Sequence, residues 1–140
     1  MTAVQTHLYR YSFWLAPLVA WPFWYGVMRA LENPVDAWWT WWAVIAIQGI
    51  VPLLDVPLGR VVTRFNREQH AALSRDLMLR AVPWVCGCVW LTTLAWALSM
   101  VPQVLQLPAI HVAGFVVSLG VVGGIMAINV GHEQIGRAHV

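Results

Sequence analysis

The chain has 140 residues, 60% of them hydrophobic and only 10% charged, with a mean hydropathy of +0.67, whereas a water-soluble domain is about one-quarter charged. Eight arginines against six acidic residues leave a net charge of +2, with no basic stripe dense enough to hold a polynucleotide backbone, so no nucleic-acid partner is expected. Ten tryptophans, a residue that collects at bilayer interfaces, complete the signature of an integral membrane protein.

Residues 1–10 are polar and lack a small-residue cleavage site after a short apolar core, so they read as a retained tail rather than a signal peptide. A bilayer core about 30 Å thick takes roughly 20 helical residues, and four charge-poor stretches supply them. The first span covers about residues 11–28, between Arg10 and Arg29. The second covers about residues 37–58, broken only by Asp55, and opens on the Trp38, Trp39, Thr40, Trp41, Trp42 cluster. Residues 59–80 mix polar and apolar side chains at a spacing that suits an interfacial or cytosolic helix. Residues 81–131 contain no Asp, Glu, Lys or Arg and are long enough for two further spans, with the hinge at residues 102–108, PQVLQLP. The predicted fold is therefore all-α, with about four transmembrane helices. Cys86 and Cys88, two residues apart on a helix, are poorly placed for a mutual disulfide and are expected to be small core residues.

Orientation follows from the arginines. Arg60, Arg64, Arg67, Arg75 and Arg80 all lie between spans two and three, against Arg29 alone in the first hairpin. The positive-inside rule puts that central segment in the cytoplasm. Both termini then face the cytoplasm, the Trp38 to Trp42 cluster sits at the outer interface as an aromatic belt, and Asn129, His132 and Glu133 arrive at the cytoplasmic surface.

Few residues could carry chemistry. Asp55 is an ionisable group inside a span and so a functional candidate, although its position between Pro52 and Pro57, near a span end, also allows a structural carboxylate satisfied by freed backbone groups and water. Gly120, Gly123, Gly124, Ala127 and Gly131 give span four a small-residue stripe that lets another helix approach closely. Of the five histidines, His7 and His70 fall in predicted cytoplasmic segments and His139 in the last two residues. His111 and His132 bound the same span, about 30 Å apart along a helix, and cannot share a metal. The informative group is Asn129 to Glu133, Asn-Val-Gly-His-Glu, in which His132 is a candidate metal ligand. The residue four further on is Gly136, so a second histidine one helical turn away is missing.

The run from Ser118 to Glu133 resembles the helix leading into the first histidine box of the alkane 1-monooxygenases, membrane non-haem di-iron hydroxylases related to the fatty acid desaturases. There the box reads Asn-x-x-His-Glu-Leu-x-His, then Arg or Lys. Residues 50–60, IVPLLDVPLGR, resemble the segment ending that family's second helix, and residues 79–83, LRAVP, the entry to its third. The resemblance implies that residues 1–133 are the N-terminal transmembrane portion of a larger, six-helix-type hydroxylase in the bacterial inner membrane, its metal site facing the cytoplasm. It implies two non-haem iron ions in the full-length protein, O₂-dependent hydroxylation of a terminal C–H bond of a lipid-dissolved alkane, and electrons from rubredoxin and rubredoxin reductase. His132 would be an iron ligand, Glu133 and Asn129 would support it, and Asp55 keeps a family-like position without an assigned role.

Two departures qualify the resemblance. After Gly59 the acidic, Asn-Pro-containing stretch usual in the family is replaced by Arg-Val-Val-Thr-Arg-Phe-Asn, and the box pattern ends at Glu133. Residues 134–140, QIGRAHV, can be read from CAG ATC GGA AGA GCA CAC GTC, which contains the start of a common sequencing adapter. A non-native tail is the expectation for that stretch, with no bound iron and no activity for the chain as it stands. A xylene-type monooxygenase or another lipid hydroxylase or desaturase of the same superfamily is the nearest alternative. A non-catalytic four-helix scaffold or subunit is the alternative from another class.

Overall fold

The computed structural model describes residues 13–36, 38–50, 52, 53 and 77–138, with residues 13 and 128–138 described by their backbone alone. Helix α1, Trp21–Glu32, carries Pro22 in its first turn, where a missing N–H costs nothing. A 3-10 stretch, Phe13–Ala20, leads into it. Its buried residues, Phe23, Gly26, Val27 and Ala30, recur at the three- and four-residue spacing that lays one stripe against a core. The helix ends where the Asn33 N–H bonds the Arg29 carbonyl at 2.9 Å. Arg29 and Glu32 pair at 2.8 Å in that last turn, so the helix runs past the expected end at residue 28 into a water-tolerant terminus.

The second helical segment, α2, changes pitch as it goes. It opens as a 3-10 turn, Trp39–Trp41, passes one α-turn, Trp42–Val44, and widens into a π-helical stretch, Ile45–Ile50. Pro52 cannot supply the N–H that an α-turn would send back to residue 48, which removes one reason to stay α-helical there. The predicted second span continued to residue 58; residue 51 and residues 54–76, Asp55 and His70 among them, lie outside the described residues, as do residues 1–12, Ala37, His139 and Val140.

Helices α3, Leu77–Val104, and α4, Ala109–Ala138, form the second half. The expected hinge is where the chain turns: Leu105, Gln106 and Leu107 donate back to Val101, Gln103 and Val104 at 2.9 to 3.1 Å, and Pro108 precedes the first residue of α4. Leu77–Val104 and the Ala109–Ala127 part of α4 are each long and apolar enough to cross a membrane. Hydroxyls in α3 are satisfied within the helix, Thr92 to the Cys88 carbonyl at 2.8 Å and Thr93 to that of Val89 at 2.7 Å, as an apolar surrounding requires. On its outward side Leu77, Trp84, Leu91, Leu98 and Leu105 repeat every seven residues and are between 61 and 77% exposed. A ridge of that size is costly in water and costs nothing in lipid.

The core lies where α1, α3 and α4 meet. Phe23 touches Trp96 edge-on at 6.1 Å and Phe115 at 5.4 Å, and Val27, Ala43, Ala97 and Val122 close around them. Cys86 belongs to this core, but Cys88 is exposed and corrects the expectation that both cysteines are buried. Their side chains leave a helix about 200° apart, so one can face the bundle only if the other faces away.

Candidate functional site

The predicted metal-site residues Asn129, His132 and Glu133 fall on the last turns of α4, and only their backbone is described. Because α4 is unbroken from Ala109 to Ala138, His111 and His132 are separated by about 30 Å of helix. Among the described residues no three His, Cys, Asp or Glu side chains come together in a group that could hold a metal. A single imidazole beside one carboxylate is too small a donor set for two irons, so His132 and Glu133 would need further ligands to hold the implied centre.

At the other end of α4 the described side chains form a built polar seam. His111 is 1% exposed, and its Nε2–H donates to the Pro34 carbonyl at 2.9 Å. Ser118, fully buried two turns on, donates from Oγ to the Thr40 carbonyl at 2.6 Å. Trp41 completes the set by donating from Nε1 to the Ile110 carbonyl at 3.2 Å. Gly114 lets these groups approach, since a Cβ there would come within 2.5 Å of Thr40 Oγ1 and 2.7 Å of the Trp41 ring. The second ring nitrogen of His111, Nδ1, is buried with no partner among the described residues.

The tryptophan cluster also packs into the fold. Trp38 is 73% exposed, but Trp41 is tied to α4, and Trp39 packs edge-on against Tyr25 with the Arg29 guanidinium 5.3 Å from its ring centre. The seam leaves no local motif in the sequence, because its bonds join residues 69 to 78 positions apart. A helical projection of α4 carried a signal: His111, Gly114, Phe115, Ser118, Val122 and Met126 share the spacing of one buried face.

A shallow apolar groove of about 330 Å³ lies between α1 and α3, lined by Trp24, Met28, Thr92 and Trp96. The small-residue stripe of α4 divides by role. Gly123 receives the Trp90 ring, which would lie 2.5 Å from a Cβ, whereas a Cβ at Gly120 or Gly124 would meet none of the described residues within 4 Å.

Comparison with known proteins gives the lineage. The chain is 32% identical over 127 residues to alkane 1-monooxygenase 2 of Alcanivorax borkumensis, a match covering 89% of this chain and 32% of that protein. It is also 32% identical over 140 residues to alkane 1-monooxygenase 1 of Pseudomonas aeruginosa, covering 96% of this chain and 35% of that protein. These matches support membership of the alkane 1-monooxygenase family. Alkane 1-monooxygenase 2 of the same Pseudomonas is 24% identical over 140 residues. The chain spans about a third of the length of these family members. No family profile matches it, and no solved structure does.

Proposed function

We propose that the chain is the amino-terminal membrane portion of an alkane hydroxylase, residues 1–133 being native and residues 134–140 foreign. The match to alkane 1-monooxygenases over nine-tenths of the chain carries this reading. In the family-length protein four spans place both the arginine-rich segment 59–80 and the end of α4 at the cytoplasmic face of the bacterial inner membrane. His132 is then one ligand of a two-iron site completed by residues that this chain does not contain, with Asn129 and Glu133 orienting its imidazole.

Iron of that kind, when bound, activates O₂ toward an unactivated terminal C–H bond, with electrons delivered by rubredoxin and its reductase. What this chain contributes is placement. A long apolar helix brings one imidazole to the membrane edge, and a bundle rich in Trp, Leu and Val takes up a hydrocarbon from lipid and keeps water out. Asp55, at the far end of the segment that α2 begins, is proposed as an intramembrane acid of the same protein. The test is expression of the family-length protein from the source locus with iron content and medium-chain alkane hydroxylation measured together. A native product that binds iron and makes terminal alcohol supports the reading. A product of correct length that folds, holds no iron and turns over no alkane favours the scaffold.

A further inference from the structure

Register along a membrane helix is a problem that apolar packing solves poorly, because lipid competes for apolar side chains on nearly equal terms. The contact between α3 and α4 interlocks at Trp90 over Gly123, while a Cβ added at Gly87, Gly120 or Gly124 would meet nothing within 4 Å among the described residues. Directional contacts define an axial position more sharply than such packing. Among the described residues, three of the four buried polar side chains, Thr40, His111 and Ser118, lie at one place, between residues 33–36 and 38–41 and the first half of α4. The bonds of the seam end on backbone carbonyls, of Pro34, Thr40 and Ile110. Such acceptors have fixed positions, and in a water-poor surrounding an unmet carbonyl is costly.

We propose that the described residues 33–36 and 38–41 form a strap latched across the first half of α4 by His111 and Ser118, and that this latch sets the axial position of α4. The two latch points are seven residues apart on α4, about 10 Å along the axis, and six apart on the strap, so sliding α4 by one turn breaks both at once. Gly114, between them, admits the strap without a Cβ in the way. The latch does not rest on the metal reading, although a helix held at one end also holds the height of residue 132 at the other.

The test uses the full chain in lipid nanodiscs and follows amide hydrogen exchange in peptides covering residues 33–41, with α3 as the internal reference. His111→Leu keeps similar bulk and removes the donor, and exchange in the strap is expected to rise about tenfold. His111→Gln, whose amide N–H reaches close to where Nε2 sits, is expected to stay within about threefold of the parent. Equal effects of Leu and Gln would overturn the latch, since bulk rather than the donor would then hold the strap. Ser118→Ala, which removes a single oxygen, gives an independent reading if the Leu variant does not accumulate. Faster exchange in the strap supports the proposal and unchanged exchange overturns it. Depth is read with a spin label at Ala127→Cys in a chain whose two native cysteines are replaced. The label should shift along the membrane normal in His111→Leu or Ser118→Ala and stay in place in His111→Gln. A label that keeps its depth in both donor-less variants would overturn the claim that the latch sets the position of α4.

Discussion

A methyl group at Gly26 would collide with the Trp39 carbonyl and lie 3.1 Å from Trp42 Cβ, whereas at Gly120 it would meet nothing within 4 Å. The obstruction at Gly26 is backbone on both sides, so neither α1 nor α2 can yield locally. Gly26→Ala is expected to lower stability by about 1 to 3 kcal/mol through overpacking. Gly120→Ala should be neutral or stabilising by up to about 1 kcal/mol, because it removes a flexible residue from a helix without filling occupied space. Unfolding midpoints in mixed micelles distinguish the two, and equal effects would mean that α1 and α2 are not packed as described. The Arg29 to Glu32 pair is of a different kind. Its side chains are 41 and 57% exposed, so Glu32→Gln should cost less than about 1 kcal/mol and leave Arg29 over the Trp39 ring.

At the scale of helices, charge-free length and arginine asymmetry lead to a specific map. Reporter fusions after Pro34, Ser74 and Gln106 should read outside, inside, outside, because five arginines separate spans two and three and only one lies in the first hairpin. A cytoplasmic signal from the Pro34 fusion would invert the map. The turn at residues 105–108 was legible because Pro108 cannot continue a helix from the preceding residues and the polar Gln103 and Gln106 flank it. The extent of α3 was less so: the chain is already helical at Leu77, before the charge-free stretch, and Arg80 is exposed, as a long side chain at a span end can reach water. Pitch was not legible at all. Nothing in the composition of residues 39–50 distinguishes 3-10, α and π geometry, which depends on the packing of Gly26 beneath Trp39 and Trp42 and on the proline beyond.

For the whole molecule, the two ends of α4 are proposed to carry different functions, a metal ligand at one and the latch at the other. The His132 end is proposed on a local motif, Asn-x-x-His-Glu, while the His111 end depends on partners more than 60 residues away in the chain. That asymmetry makes alanine at His111 a poor control for alanine at His132, because removing a fully buried imidazole leaves a void and an unmet Pro34 carbonyl. His111→Gln is the better comparison. In the family-length protein His132→Ala should lose iron and alkane hydroxylation while still inserting in the membrane, since an imidazole after a charge-free helix adds nothing to the hydropathy that drives insertion. His111→Gln should retain both. Iron per protomer, terminal alcohol formed from a medium-chain alkane and membrane accumulation are measured side by side for the two variants and the parent. Full iron and parental turnover in His132→Ala would remove residue 132 from the metal site. Loss of iron confined to His132→Ala, with equal accumulation of all three proteins, would place the ligand at the far end of a helix whose position the His111 end holds.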